Sequence, residues 1–238
     1  MHTRIGQRLD LPYQLIASAI PCGTSWLVAT AKLMGSHVAP EEPQLLAPFT
    51  EVVDLRPMPV ALAVQAPLGG LDLAQRGGRR CDREARALLG HRRGAAVRSA
   101  PSRPTLESNA EAAEPLDAVS TALLPRYREV AAEMSPFRQR WIYEVRAELS
   151  FLELNGGVPL RYAKRFEVGR AERRALLEEQ LPGVDRLLDA PLPGVTLVNL
   201  LDAAACLWTA RRIVGHAMVR LPEDPEWDSE GMLMALVR

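Results

Sequence analysis

Asp202 lies in VNLLDAAACLWTA, residues 198–210, an otherwise apolar segment, and at helical spacing it shares a stripe with Asn199, Cys206 and Thr209. An ionised carboxylate cannot stay bare in such surroundings, so it faces a wet cleft, meets a cation or is fully hydrogen-bonded. Glu144 is the second candidate. In RWIYEVRA, residues 140–147, strand alternation puts Trp141, Tyr143 and Val145 on one side and Ile142, Glu144 and Arg146 on the other. Glu148 follows four residues later, where strand should give way to helix and where an acid suits a helical first turn. Carboxylates from a strand and a helix are the minimum set for Mg²⁺ or Mn²⁺, which take oxygen ligands and activate water for attack on a phosphodiester. The plain alternatives are a structural Asp202 held by a backbone amide or an Arg, and a Glu144 that is exposed or paired with Arg146.

Other chemistries find less support. His2, His37, His91 and His216 occur without a nucleophile elbow, and neither a P-loop nor a dinucleotide fingerprint is present. Cys22, Cys81 and Cys206 form no CxxC, which argues against zinc and for a reducing, cytoplasmic compartment. No apolar run reaches the ~18 residues of a membrane helix, so no membrane partner is expected. Arg4 and Arg8 precede an apolar stretch ending at Cys22, but Asp10, Pro12, Gln14 and Pro21 spoil it as an export leader.

The elements that must carry these acids come from a chain of 238 residues, 47% apolar, with 29 basic and 29 acidic residues. That is a globular composition, and zero net charge argues against a general nucleic-acid coat. Charge is nevertheless segregated. Residues 76–104 hold nine Arg against Asp82 and Glu84, and residues 105–117 are acidic. Arg79, Arg80, Arg83, Arg92 and Arg93 would form a phosphate-facing surface, because clustered guanidinium groups pair with phosphates bidentately. Alternatively this Arg-rich stretch docks on acidic segments of its own chain.

Residues 14–20 and 26–31 read as two strands joined by a tight turn, and EEPQLLAPF, residues 41–49, as a short helix. PVALAVQA, residues 59–66, suits a strand buried on both faces. Helices are expected from Asp82 to about Gly90, over 116–133, 169–181 and 196–214, strands over 140–147 and 231–237. Strands alternating with helices predict one layered α/β domain over residues 1–238, with 76–117 as an excursion.

In order along the chain, RRCDREARALLGHRR (79–93), ALLPRYREV (122–130), YEVRAELSFLELNGG (143–157), GRAERRALL (169–177) and LLDAAACLWTARRI (200–213) resemble the blocks of domain-of-unknown-function family 429. The resemblance spans residue 50 to the C-terminus. It implies an RNase H-like fold, with a central mixed sheet flanked by helices, and a predicted metal-dependent nuclease activity. The family pattern has acids in V-D-G-C-R-G-G-W, D-x-P-x-G, E-V-H-P-E-L-S-F and D-D-L-L-D-A. Here AIPCGTSW (19–26) has Ile20 for the first Asp, and VQAPLG (64–69) has Gln65 for the second. EVRAELSF (144–151) keeps Glu144 and Glu148 but has Arg146 and Ala147 for His and Pro, and VNLLDA (198–203) keeps only Asp202.

Losing two Asp removes both charge and hard ligands, and Arg146 adds repulsion of a cation. The expectation is therefore a divergent member with a degraded metal site that binds nucleic acid or a partner with little or no cleavage. Two other readings stand beside it. One is an active Mg²⁺- or Mn²⁺-dependent phosphodiesterase, with Glu144 and Asp202 as metal ligands, Glu148 as an auxiliary catalytic group, and acids such as Asp54 or Asp72 filling the missing positions. The other is a structural interaction module without catalysis.

Overall fold

A computed structural model describes residues 12–107 and 114–238. The Arg4 and Arg8 segment, and part of the acidic stretch, lie outside them. The main sheet comprises β1 (Gln14–Cys22), β2 (Ser25–Met34), β3 (His37–Pro40), β4 (Gln44–Leu46), β5 (Ala61–Val64) and β6 (Ile142–Glu144). Its order is β3-β2-β1-β5-β6, with β4 paired to β2; β1, β5 and β6 run parallel, whereas β2 is antiparallel to β1, β3 and β4. This six-stranded mixed sheet flanked by helices is consistent with the RNase H-like layout. A hairpin of β7 (Arg220–Trp227) and β8 (Leu233–Val237) stands apart, touching the main sheet's edge through a Val145–Val237 bridge.

The helices are α1 (Phe49–Val53), α2 (Arg80–Arg93), α3 (Arg103–Glu107), α4 (Ala118–Glu133), α5 (Ala147–Leu154), α6 (Glu167–Gln180), α7 (Asp185–Leu188) and α8 (Leu197–Val214). Strand alternation divides the core. Ile16 and Ile20 of β1, Leu27 and Ala29 of β2, and Ala61 and Ala63 of β5 face α5, α6, α7 and α8. Ala17, Ala19, Trp26, Val28, Leu62 and Val64 face α1 and α4. All four residues of β5 are fully buried, as a Val- and Ala-rich run flanked by prolines predicts. Ala203, Ala204 and Ala205 keep α8 close to the sheet, and Ser18 donates to the Ala203 carbonyl at 2.8 Å.

Two expectations are corrected. Residues 41–49 are not a helix: Gln44–Leu46 pairs with Trp26–Val28 as β4, and α1 begins only after Pro48. The paired prolines at 43 and 48 interrupt any helical ladder there, and an unfilled edge of β2 takes the segment instead. The strand over 140–147 shrinks to Ile142–Glu144 because a 3₁₀ turn occupies Arg138–Arg140 and Arg146 already caps α5.

Candidate functional site

Glu144 ends β6 and is 2% exposed. Its Oε2 accepts from the Leu68 amide at 2.9 Å and Arg79 Nη1 at 2.8 Å, and its Oε1 from Arg79 Nη2 at 2.6 Å and Arg146 Nη2 at 2.8 Å. A carboxylate has about four acceptor directions, and here each is taken. Arg79 is equally saturated. Nε and Nη2 donate to Asp82 at 3.1 and 2.9 Å, and Nη1 also donates to the Gly69 carbonyl at 2.8 Å. Burial opposes the charge on both partners, but Asp82 and Glu144 together push Arg79 well above its usual value, and Arg79 holds Asp82 below the ordinary carboxylate range.

Local sequence explains this brace. Asp82 sits three residues into α2 and also accepts the Arg79 and Ala100 amides at 3.1 and 3.2 Å. Gly78 has φ of +73°, and a Cβ there would meet Ser99 at 2.6 Å, so only glycine lets the chain enter α2 at this angle. The Arg79 reading is thus corrected: it lies inside the protein, bound to acids, and forms no part of a phosphate-facing surface.

Glu148 does fall in the first turn of α5. Its two oxygens accept from Arg173 Nη2 at 2.8 and 2.9 Å, and Arg173, itself fully buried, also donates to the Tyr162 and Gly169 carbonyls. Gly169 allows that packing, since a Cβ would come within 2.3 Å of the Ala163 carbonyl oxygen.

Asp202 is 5% exposed and pairs through Oδ2 with Lys164, while its Oδ1 is buried with no partner among the described residues. Burial raises its pKa despite Lys164. Of the stripe partners foreseen for it, Cys206 lies 4.0 Å from Gln65 Oε1, Thr209 pairs with Ser150 at 2.7 Å, and Asn199 instead closes a capping box with Thr196.

Glu144, Glu148 and Asp202 thus each already carry a basic partner. A cavity of about 130 Å³ opens beside them, lined by Gln65, Arg98, Tyr127, Arg146, Glu148 and Lys164, with Glu148 the one acid in its wall. Gln65 Oε1 is itself occupied, accepting the Ala147 amide at 3.0 Å. Magnesium or manganese does not fit these residues as they are arranged: all four acceptor directions of Glu144 are taken, both Glu148 oxygens face Arg173, Asp202 is paired with Lys164, and Arg146 and Lys164 put positive charge in the cavity where the ion would sit. Among the described residues no group of three or more His, Cys, Asp or Glu is arranged to hold a metal. Asp54 and Asp72 are exposed and paired with Arg56 and Arg103, and neither lines the cavity.

Sequence reasoning missed Lys164 and Arg173. Both left a signal: Lys32 and Lys164 are the only Lys in the chain, and Gly169, Arg173 and Leu177 share the buried stripe of α6 at i, i+4, i+8 spacing. Among the other predicted arginines, Arg80, Arg83 and Arg92 are exposed, whereas Arg93 donates to the Leu160 and Arg161 carbonyls at 3.0 and 2.9 Å. Arg80 pairs with Glu84, and Arg83 caps the Gly78 carbonyl. Arg98 and Arg103 dock on Asp117 and on Asp72 and Glu230, as the own-chain alternative expects.

The site is thus a set of acids at a strand end and on helices, Glu144, Glu148 and Asp202, each paired with Arg or Lys on a mixed α/β frame. The chain belongs to the family described as "Protein of unknown function (DUF429)", whose model matches residues 10–227. No curated protein and no solved structure matches it. No helix among the described residues is long and apolar enough to cross a membrane.

Proposed function

We propose that this chain is a metal-independent member of its family, a cytoplasmic protein that binds nucleic acid without cutting it. The observation that carries the reading is that every retained family acid is neutralised from within: Glu144 by Arg79 and Arg146, Glu148 by Arg173, Asp202 by Lys164. Opening the Glu144 or Glu148 pairs for a cation would leave a buried guanidinium unpaired, at a cost of several kcal/mol.

Nucleic acid is favoured over a protein partner by a segment that neither the sequence blocks nor the arginine run pointed to. In Arg161, Tyr162, Lys164, Arg165 and Phe166, two exposed aromatic rings are each covered by a neighbouring guanidinium, Arg161 over Tyr162 at 5.3 Å and Arg165 over Phe166 at 4.8 Å. Stacking rings interleaved with positive charge suit the bases and phosphates of a single strand. The free state of all three cysteines is compatible with a reducing compartment.

The test is an electrophoretic and fluorescence assay with labelled single- and double-stranded oligonucleotides, in EDTA and in Mn²⁺. The expected outcome is binding that weakens steeply with salt, is indifferent to EDTA and yields no product. Mn²⁺-dependent cleavage would overturn the proposal in favour of the hydrolase reading. Absence of binding to every strand would favour the interaction module.

A further inference from the structure

Resting on that metal-free reading, we propose that the cavity between β5, α4 and the start of α5 is an anion site that takes a phosphate group, where the family pattern would place a cation. The lining carries three cations. Arg146 is nearly buried, and Arg98 and Lys164 stand nearer the mouth with side chains 38% and 32% exposed. The first turn of α5, through Arg146, Ala147 and Glu148, forms one wall, so the positive end of an eight-residue helix faces the space.

Two neutral donors complete the lining. Gln65 Oε1 is held by the Ala147 amide, which leaves the amide NH₂ as the free end of that side chain. Burial raises the Tyr127 phenol, keeping it protonated as a donor. Replacing Asp with Gln at position 65 thus exchanges an acceptor suited to a cation for a donor suited to an oxyanion.

The acids sit on the far side of the bases. Glu144 lies behind Arg146, Asp202 behind Lys164, and Asp117 pairs with Arg98 from outside. Glu148 alone among the acids lines the cavity, and both its oxygens are turned to Arg173. Counting Arg79, Arg173 and Asp82, the network is neutral overall, so attraction for an anion comes from the placement of the charges, with three bases and a single acid lining the cavity. Such a site gives modest affinity and prefers a compact ion with several acceptor atoms. A cavity of about 130 Å³ has room for a phosphate group.

The phosphate has two possible sources, a small phosphorylated molecule or the 5′ end of a strand, and the experiment separates them. Inorganic phosphate is titrated calorimetrically into the full chain in chloride buffer to about 10 mM, a range that registers a Kd near 1 mM. Beside it are run Mn²⁺ alone, Arg146→Met, Lys164→Met and Arg98→Ala. The expected result is one saturable site for phosphate, weakened at least ten-fold in Arg146→Met and Lys164→Met and a few-fold in Arg98→Ala. Arg98 pairs with a half-exposed Asp117, so Arg98→Ala keeps the fold and serves if the deeper variants do not. Single strands bearing a 5′-phosphate that bind more tightly than both their 5′-hydroxyl forms and free phosphate identify a strand end; equal affinity for phosphate and a nucleoside monophosphate identifies a small molecule. No phosphate binding by the folded wild type overturns the anion site while leaving the metal-free reading intact. Saturable Mn²⁺ binding, or phosphate binding only in its presence, overturns both.

Discussion

Arg79 spends all five of its N–H donors on Asp82, Glu144 and the Gly69 carbonyl, and its removal takes a buried cation from two acids at once. Arg79→Met is expected to lose about 3–5 kcal/mol of stability, since breaking a buried pair leaves uncompensated charge. Urea unfolding measures this, and a loss below about 1 kcal/mol would mean that Glu144 and Asp82 find other partners or water. At this scale the sequence was partly legible. For Asp202 the apolar surroundings left three outcomes, a wet cleft, a cation or full hydrogen bonding, and the residue meets Lys164. Glu148 reads as a first-turn acid and is one. Arg79 misled because local charge density says nothing about burial: the same run of guanidinium groups contains one fully interior side chain and several exposed ones.

Helices α5 and α6 are joined by the Glu148–Arg173 pair, and the joint depends on a glycine rather than on a charge. At Gly169 a methyl group would sit 2.3 Å from the backbone oxygen of Ala163, and backbone cannot move aside cheaply. Gly169→Ala is expected to cost about 1–3 kcal/mol by overpacking, read as a fall in thermal midpoint together with loosened exchange protection of 162–173. An unchanged midpoint would show that the 162–163 turn shifts freely. Elements with a clear period, such as β1, β5, α6 and α8, could be placed from pattern alone. The failures came where tertiary pairing outranks local preference: β4 exists because β2 offers it an edge, and β6 is short because Arg146 begins a cap. Strand β7 was not foreseen, since RLPEDPEW lacks alternation and is held mainly by its pairing with β8.

Across the whole molecule, the fold brings residues 65, 144 and 148 to one end of parallel strands, and Lys164 ties residue 202 to the same region, although they are far apart in the chain. The mixed α/β class was legible in the alternation of strands and helices. The site was legible only as three candidate acids, because the spacing that marks Arg173 as buried does not say which acid it meets, and that pairing comes from three-dimensional convergence. The central claim is that internal cations have taken the place of metal ions. Calorimetric titration of Mn²⁺ into the protein, beside Glu144→Ala and Asp202→Ala, tests it most directly. The account predicts no saturable heat up to about 1 mM Mn²⁺ in any of the three. Saturable binding by the wild type that both variants abolish would contradict it.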